Sequence, residues 1–242
     1  MYKAYLSILF FVALMSGVRS QSLEIGFQSG IGTYSMKGLK NINNSRQESL
    51  PFEAEQISDF PAYLYYRPYL EFKFKKFRMG IVNTFQSTGS RLSARDYSAE
   101  YLLDMKVKAN TPGIYGSIDL LPSERLDVAL SSIFGLAFSN LEIDEYFVLS
   151  DINILDTNYK LKAMNYFFEP GFNLSYPVGA FGFGTYFGYL LQFGKQPFHL
   201  GDNKDNALYD DKTGKTVGPG WNGLRAGLSV SFRIKIPGVP TP

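Results

Sequence analysis

Most of this chain alternates between apolar and polar residues with a period of two. That pattern suits β-strands, whose successive side chains point to opposite faces, and little else. From Leu23 to Tyr34, Leu23, Ile25, Phe27 and Ile31 share one parity, while Glu24, Gly26, Gln28, Gly30 and Gly32 share the other. A second strand from Tyr63 to Phe74 sets Leu64, Tyr66, Leu70 and Phe72 against Arg67, Tyr69, Glu71 and Lys73. A third, from Phe77, sets Met79, Ile81 and Phe85 against Arg78, Thr84 and Gln86. In the fourth, Tyr101, Leu103, Met105, Val107 and Ala109 oppose Asp104, Lys106 and Lys108; beyond Pro112 the apolar parity moves to Ile114, Ile118 and Leu120. A slip of one residue exchanges the faces, so a β-bulge is predicted near Pro112. Four more strands follow, centred on Leu126–Phe138, Asn165–Tyr176, Phe181–Gln192 and Leu224–Ile234.

The bulky residues, rich in Phe and Leu, lie on the uncharged parity, and the Gly residues lie on the charged one. A soluble barrel with an apolar inside would place large rings where space is narrowest. A lipid-facing outside accepts them, while the crowded interior needs Gly beside Arg and Tyr. The connections support the same choice. They alternate between long or intermediate (35–60, 87–96, 144–162, 194–220) and short (75–76, 121–125, 177–179), as in outer-membrane barrels with periplasmic turns and outer loops. The expected fold is therefore all-β: an eight-stranded antiparallel up-and-down transmembrane barrel with four extracellular loops and three short periplasmic turns. Its interior is expected to hold a charge network of Glu24, Arg67, Glu71, Lys73, Arg78, Asp104, Lys106, Asp127, Glu169, Arg225 and Arg233. Eight strands leave room only for side chains, so the network reads as packing rather than as a pore.

Lys3, the apolar run from Ala4 to Met15 and the small residues before Gln21 have the form of a secretory signal peptide, expected at residues 1–20. About twelve apolar residues are too few to cross a bilayer as a helix, which takes roughly 20. Cleavage would remove Lys3 and Arg19, leaving 22 basic and 22 acidic residues. A neutral chain gives no electrostatic reason to expect nucleic acid as a partner. The absence of Cys excludes disulfides, thiolate metal sites and cysteine nucleophiles. The barrel domain is expected at residues 21–234, followed by a short periplasmic tail at 235–242.

Gly227-Leu228-Ser229-Val230-Ser231-Phe232-Arg233-Ile234 is similar to the alternating, aromatic-bearing last strand by which the barrel assembly machinery recognises its clients. With the eight-strand pattern, the chain resembles the small outer-membrane barrels of the OmpA transmembrane-domain and OmpX class. Residues 30–36 with Leu39-Lys40 look like barrels of Bacteroidota. The resemblance implies residence in the bacterial outer membrane, lipid and the assembly machinery as partners, and no cofactor. It departs from the class in the tail that follows Ile234.

His199, the one His, lies in the last long loop. Lipid-modifying barrels use a His beside a Ser and an acid, because the imidazole must take the hydroxyl proton. In the deacylase type the Ser stands two residues after the His, and here that position is Gly201. Asp202, Asn203, Asp205, Asn206, Asp210 and Asp211 offer oxygens in the same loop without the spacing of a calcium loop. No metal is expected. Met36, Leu39 and Ile42 recur at helical spacing behind Ser35, which predicts a short capped helix across the barrel mouth or against a partner. Tyr66, Tyr101, Tyr166, Tyr176, Trp221 and Phe232 read as interfacial girdle residues. The functional expectation is a non-enzymatic outer-membrane barrel. Its loops, with Met36, Leu39, Ile42, Phe198 and His199 as candidate contacts, bind a partner: another outer-membrane or surface protein, as in a subunit of a larger outer-membrane complex, a surface polymer or a host molecule. A lipid-modifying enzyme and a small passive channel are the alternatives.

Overall fold

The computed structural model describes residues 22–74, 76–97, 99–121, 126–150, 152–194, 196–201, 206–210 and 212–236. The expected signal peptide and all but the first two residues of the expected tail lie outside them. Eight long strands form a closed ring. They are β1 (Ser22–Gly32), β3 (Tyr63–Phe74), β4 (Phe77–Arg95), β5 (Ala99–Leu121), β6 (Asp127–Leu149), β7 (Ile152–Val178), β8 (Phe181–Phe193) and β12 (Gly223–Lys235). Each pairs antiparallel with its neighbours in chain order, and β1 pairs with β12 over its whole length, from Ser22↔Lys235 to Gly32↔Arg225. The all-β, eight-stranded up-and-down barrel expected from alternation is the observed fold.

The wall's outer face carries an apolar belt that includes Ile25, Phe27, Ile81, Phe85, Phe134, Phe183 and Leu228, all exposed. On β6 it runs from Val128 to Phe138, about 33 Å of strand, which at the usual tilt gives about 25 Å of height, the span of a hydrocarbon layer. Among the described residues no helix is long and apolar enough to cross a membrane.

Two of the four expected loops are strand instead. β4 and β5 continue past residue 87 to a tight turn near Asp96, and β6 and β7 meet across Ser150. Their alternation continues, apart from a register shift between Phe147 and Val148 at the β6–β7 tip, and its polarity inverts. On β4 the outward series is Phe77, Ile81, Phe85 and then Ser87, Arg91, Arg95, while the inward series passes from Arg78, Thr84 and Gln86 to Leu92 and Ala94. On β5, Ile118 and Ile114 face out near the short turns, but Lys108, Lys106 and Asp104 face out above them, with Val107, Met105 and Leu103 buried. The wall thus changes from apolar-outside to apolar-inside along continuous strands.

This inversion corrects the expectation for Pro112. The β4–β5 register is unbroken from Phe77↔Ile118 to Arg95↔Glu100, and no bulge occurs at Pro112. The register shift of β5 lies between Asp119 and Leu121, against β6. What resembled a one-residue slip was a change of solvent on an unslipped strand. It also corrects two girdle assignments: Tyr101 and Trp221 are buried inside, whereas Tyr66, Tyr166, Tyr176 and Phe232 are exposed on the outer wall.

The upper compartment is closed by α1 (Lys37–Ser49), which lies between β1 and the short edge strand β2 (Glu55–Asp59). Met36 and Leu39 are fully buried among Leu92, Met105, Leu141, Leu161, Phe198 and Trp221. The predicted Ser35 cap does not form. Met36 is the N-cap, in the left-handed region at φ 43°, and the Ser35 hydroxyl donates to Gly220 O at 3.1 Å. The 194–222 connection adds the short strands β9 (His199–Leu200), β10 (Tyr209–Asp210) and β11 (Lys215–Thr216).

Because the chain has no native Cys, single Cys variants test the inversion. Lys106→Cys and Lys108→Cys will react with a membrane-impermeant maleimide in the folded protein. Met105→Cys and Val107→Cys will react only after denaturation, and the opposite labelling order would reverse the assignment.

Candidate functional site

Inward-facing charges concentrate in the membrane-level half of the barrel, in two layers. The upper layer centres on Glu169 of β7, which is fully buried. Its Oε1 accepts from Arg67 Nη2 at 2.6 Å and from the Tyr186 hydroxyl at 2.7 Å, while Oε2 faces Arg225 Nη1 at 3.1 Å. Arg67 also donates through Nε to Thr84 Oγ1 at 2.8 Å, and Arg225 donates to Gln86. Both guanidiniums lie over the Tyr65 ring, that of Arg67 at 5.3 Å from its centroid and that of Arg225 at 5.2 Å. Both distances are within cation–π range of the one ring. Tyr186 fits because Gly171 and Gly188 flank it: a Cβ at either would overlap its ring or hydroxyl.

The lower layer lies toward the short turns. Arg78 Nη2 meets Asp119 Oδ1 and Asp127 Oδ2, each at 3.0 Å, and its Nη1 reaches Glu71 Oε1 at 3.4 Å. Lys73 bridges the same two aspartates at 3.3 and 3.4 Å, and Arg233 pairs with Glu24 at 3.4 Å. Among the described residues, five cations (Lys73, Arg67, Arg78, Arg225, Arg233) oppose five carboxylates (Glu24, Glu71, Asp119, Asp127, Glu169) across the two layers. This balance matters because an unpaired charge inside a low-dielectric wall is far costlier than a paired one. Between the layers lies a cavity of about 50 Å³ lined by Arg67, Tyr69, Glu71, Arg78, Tyr115 and Tyr186. One water needs about 10–15 Å³ of such space, so the cavity suits a few ordered waters held by its polar lining.

Nine of the eleven sequence-predicted network residues lie in these layers. Asp104 and Lys106 do not. They project outward above the apolar belt, where Asp104 pairs with Arg91 and Lys106 is exposed. The inward expectation holds only where the apolar parity of a strand faces lipid, and at this height the outer face is wet. Sequence reasoning missed Asp119 as a network member; its signal is that it alone is charged between the outward Ile118 and Leu120.

Three of the five candidate partner contacts lie inside the barrel mouth. Met36, Leu39 and Phe198 are fully buried, so these three are not presented to another molecule, and Ile42 is partly buried against the same core. The helical spacing of Met36, Leu39 and Ile42 serves packing into the barrel mouth. His199 lies on the outer face opposite Lys162, with its Nδ1 3.3 Å from Pro197 O. Of the acidic loop, Asp202, Asn203, Asp205 and Asp211 lie outside the described residues. Asp210 accepts from Lys212 N at 3.1 Å and from Thr213 Oγ1 at 2.8 Å, ordering a turn. At the rim, Tyr34 stacks edge-on against Trp221 at 5.0 Å, and burial pushes its phenol up to about 12.

No protein-family model matches the chain, and no curated protein matches it. Among solved structures it is similar to Ail, the attachment invasion locus protein of Yersinia pestis, at 12% identity and a TM-score of 0.41, over 88% of this chain and 97% of that one. It is also similar to OprG from Pseudomonas aeruginosa, at 8% identity and a TM-score of 0.41, over 90% and 98%. The outer membrane protease OmpT from Escherichia coli gives 10% identity and a TM-score of 0.40, over 88% and 95%. Likeness at this level carries no argument about activity, ligand or partner.

Removing the central carboxylate tests the network. Glu169→Gln leaves two buried guanidiniums without their counter-charge and should destabilise the barrel by about 3–5 kcal/mol. Asp104→Asn, an exposed pair, should cost about 1 kcal/mol or less. Urea titration in micelles, followed by the fluorescence of the single Trp221, would measure both.

Proposed function

We propose that this chain is a non-enzymatic integral protein of the bacterial outer membrane whose elongated outer module binds another protein. The observation that carries the reading is a double seal. The balanced ion pairs fill the barrel at membrane level, and α1 with its apolar core fills the mouth above. Among the described residues neither compartment offers a passage or a substrate cleft, which favours the outer surface of the module as the place for recognition.

That surface has a distinct apolar end. Leu149, Ile152 and Ile154, at the turn joining β6 and β7, are 43%, 63% and 54% exposed. They stand well beyond the apolar belt, on the far side of Glu142, Asp144 and Lys160, so lipid does not account for them. Grouped apolar side chains in water mark interaction sites more often than chance. The signal-peptide pattern and the last strand's similarity to those of OmpA-type barrels support export and delivery by the barrel assembly machinery. On this reading the short turns face the periplasm and the β6–β7 tip faces outward.

Purification from native envelopes in mild detergent should bring down a protein partner. The double variant Ile152→Glu/Ile154→Glu should lose that partner while still shifting its gel mobility on boiling, as a folded barrel does. Purified protein in planar bilayers should give no conductance steps. Retention of the partner by the double variant would exclude the tip as the contact, and discrete steps would exclude the sealed barrel.

A further inference from the structure

The inversion of polarity leaves an unusual row of side chains immediately above the apolar belt. On four neighbouring strands the changeover follows one set of paired residues: Phe85, Asn110, Phe138 and Met164 are directly opposite one another in turn. The next outward row is Ser87↔Lys108↔Asn140↔Lys162↔His199. Every member can donate a hydrogen bond and none is a carboxylate. The row beyond it, Gly89↔Lys106↔Glu142↔Lys160, adds two more lysines against one glutamate. The four lysines are exposed, and none forms a salt bridge among the described residues. Lys108 and Lys162 stand two strands apart, about 10 Å, and each is about 7 Å along its strand from the second lysine. This patch matches the size of one or two phosphate groups.

Directly below, the outer wall is hollowed. Pro68 and Pro112 cannot donate to the ladder, and pairing is interrupted where Pro68 passes Asn83 and where Pro112 passes Leu136. The resulting groove is lined by Pro68, Ile81, Asn83, Pro112, Ile114 and Leu136, with Gly113 and Gly135 at its floor. Lys108 and Pro112 share one strand and one face, four residues or about 13 Å apart. The groove therefore begins within an acyl chain's length of the amines.

We propose that these two features form one site for an anionic, phosphorylated lipid of the leaflet nearer the α1 end. Lys106, Lys108, Lys160 and Lys162 hold its head group, and one acyl chain lies in the groove at Pro112. Charge complementarity selects the occupant. A zwitterionic lipid offers the four lysines no net charge, and a soluble anion leaves the groove unfilled. The site rests on the membrane-barrel reading but not on the protein-binding tip.

The test uses the full-length folded protein in dodecylmaltoside and native mass spectrometry, with bisphosphorylated lipid A as the probe and phosphatidylcholine as the comparator. Wild-type protein should retain lipid A in preference to phosphatidylcholine. Lys108→Gln/Lys162→Gln should weaken retention about thirtyfold, since each lysine near such a surface contributes on the order of one tenfold step in affinity or slightly less. Asn83→Trp, which fills the groove from its lipid face, should also weaken it. Boiling-dependent gel mobility, measured on every variant, separates failure of the barrel from failure of the site. Equal retention by the lysine variant, or equal retention of the two lipids, would overturn the proposal. Displacement of lipid A by millimolar inorganic phosphate would mean a free-anion site and would overturn it as well.

Discussion

Hydrocarbon offers no hydrogen-bond partner to a peptide group, so every backbone N–H and C=O within the belt must be satisfied by the protein itself. The unbroken pairing of β1 with β12, eleven residues on each side, is what meets that demand, because it leaves the ring without an edge. Closure then dictates the remainder. With eight strands the bore admits only side chains, and the inward parity must supply a filling that is both compact and electrically balanced. Gly171 and Gly188 beside Tyr186, and Glu169 between Arg67 and Arg225, satisfy those two requirements at one level of the barrel.

The filling joins strands distant in sequence. Arg67 of β3 and Glu169 of β7 are separated by 102 residues, and Glu24 accepts a hydrogen bond from Ser231, 207 residues away. A buried ion pair is weak evidence for net stability, since desolvating the partners offsets much of their attraction. Its stronger effect is on specificity. A strand displaced by one residue would turn its charges into lipid and its Phe and Leu residues into the bore. The polar layers therefore define register, while the closed ladder supplies the wall.

Much of this was legible in the sequence. The eight strands near the short turns, their sidedness and nine of the eleven named network residues follow from parity alone, because lipid outside and a narrow bore inside impose opposite chemistry on alternate residues. What parity could not supply was the identity of the outer solvent at each height. Tyr101 to Ala109 read as lipid-facing because they are apolar, yet on that stretch the outside is water and the inside is a core closed by α1. Asp104 and Lys106 were misplaced for the same reason. Two expected loops were strands that carry the reversed pattern, and Met36 and Leu39 proved to be plug residues rather than a docking face. Local periodicity identifies two faces; only the tertiary arrangement says which face is wet.

The continuous strands that pass from one polarity to the other also set a rule for how such a protein can change length. In the β6–β7 hairpin, a pair of residues added to each arm above Phe138 would raise the tip while every existing side chain kept its side. A single residue added to one arm would exchange inside for outside from that point to the turn, burying Lys or Glu and exposing Leu or Ile. The height of the module is thus free to vary in steps of two, with the membrane part unaltered, and odd steps are forbidden by geometry unless a bulge absorbs them. The barrel behaves as a fixed socket bearing a projection of quantised length.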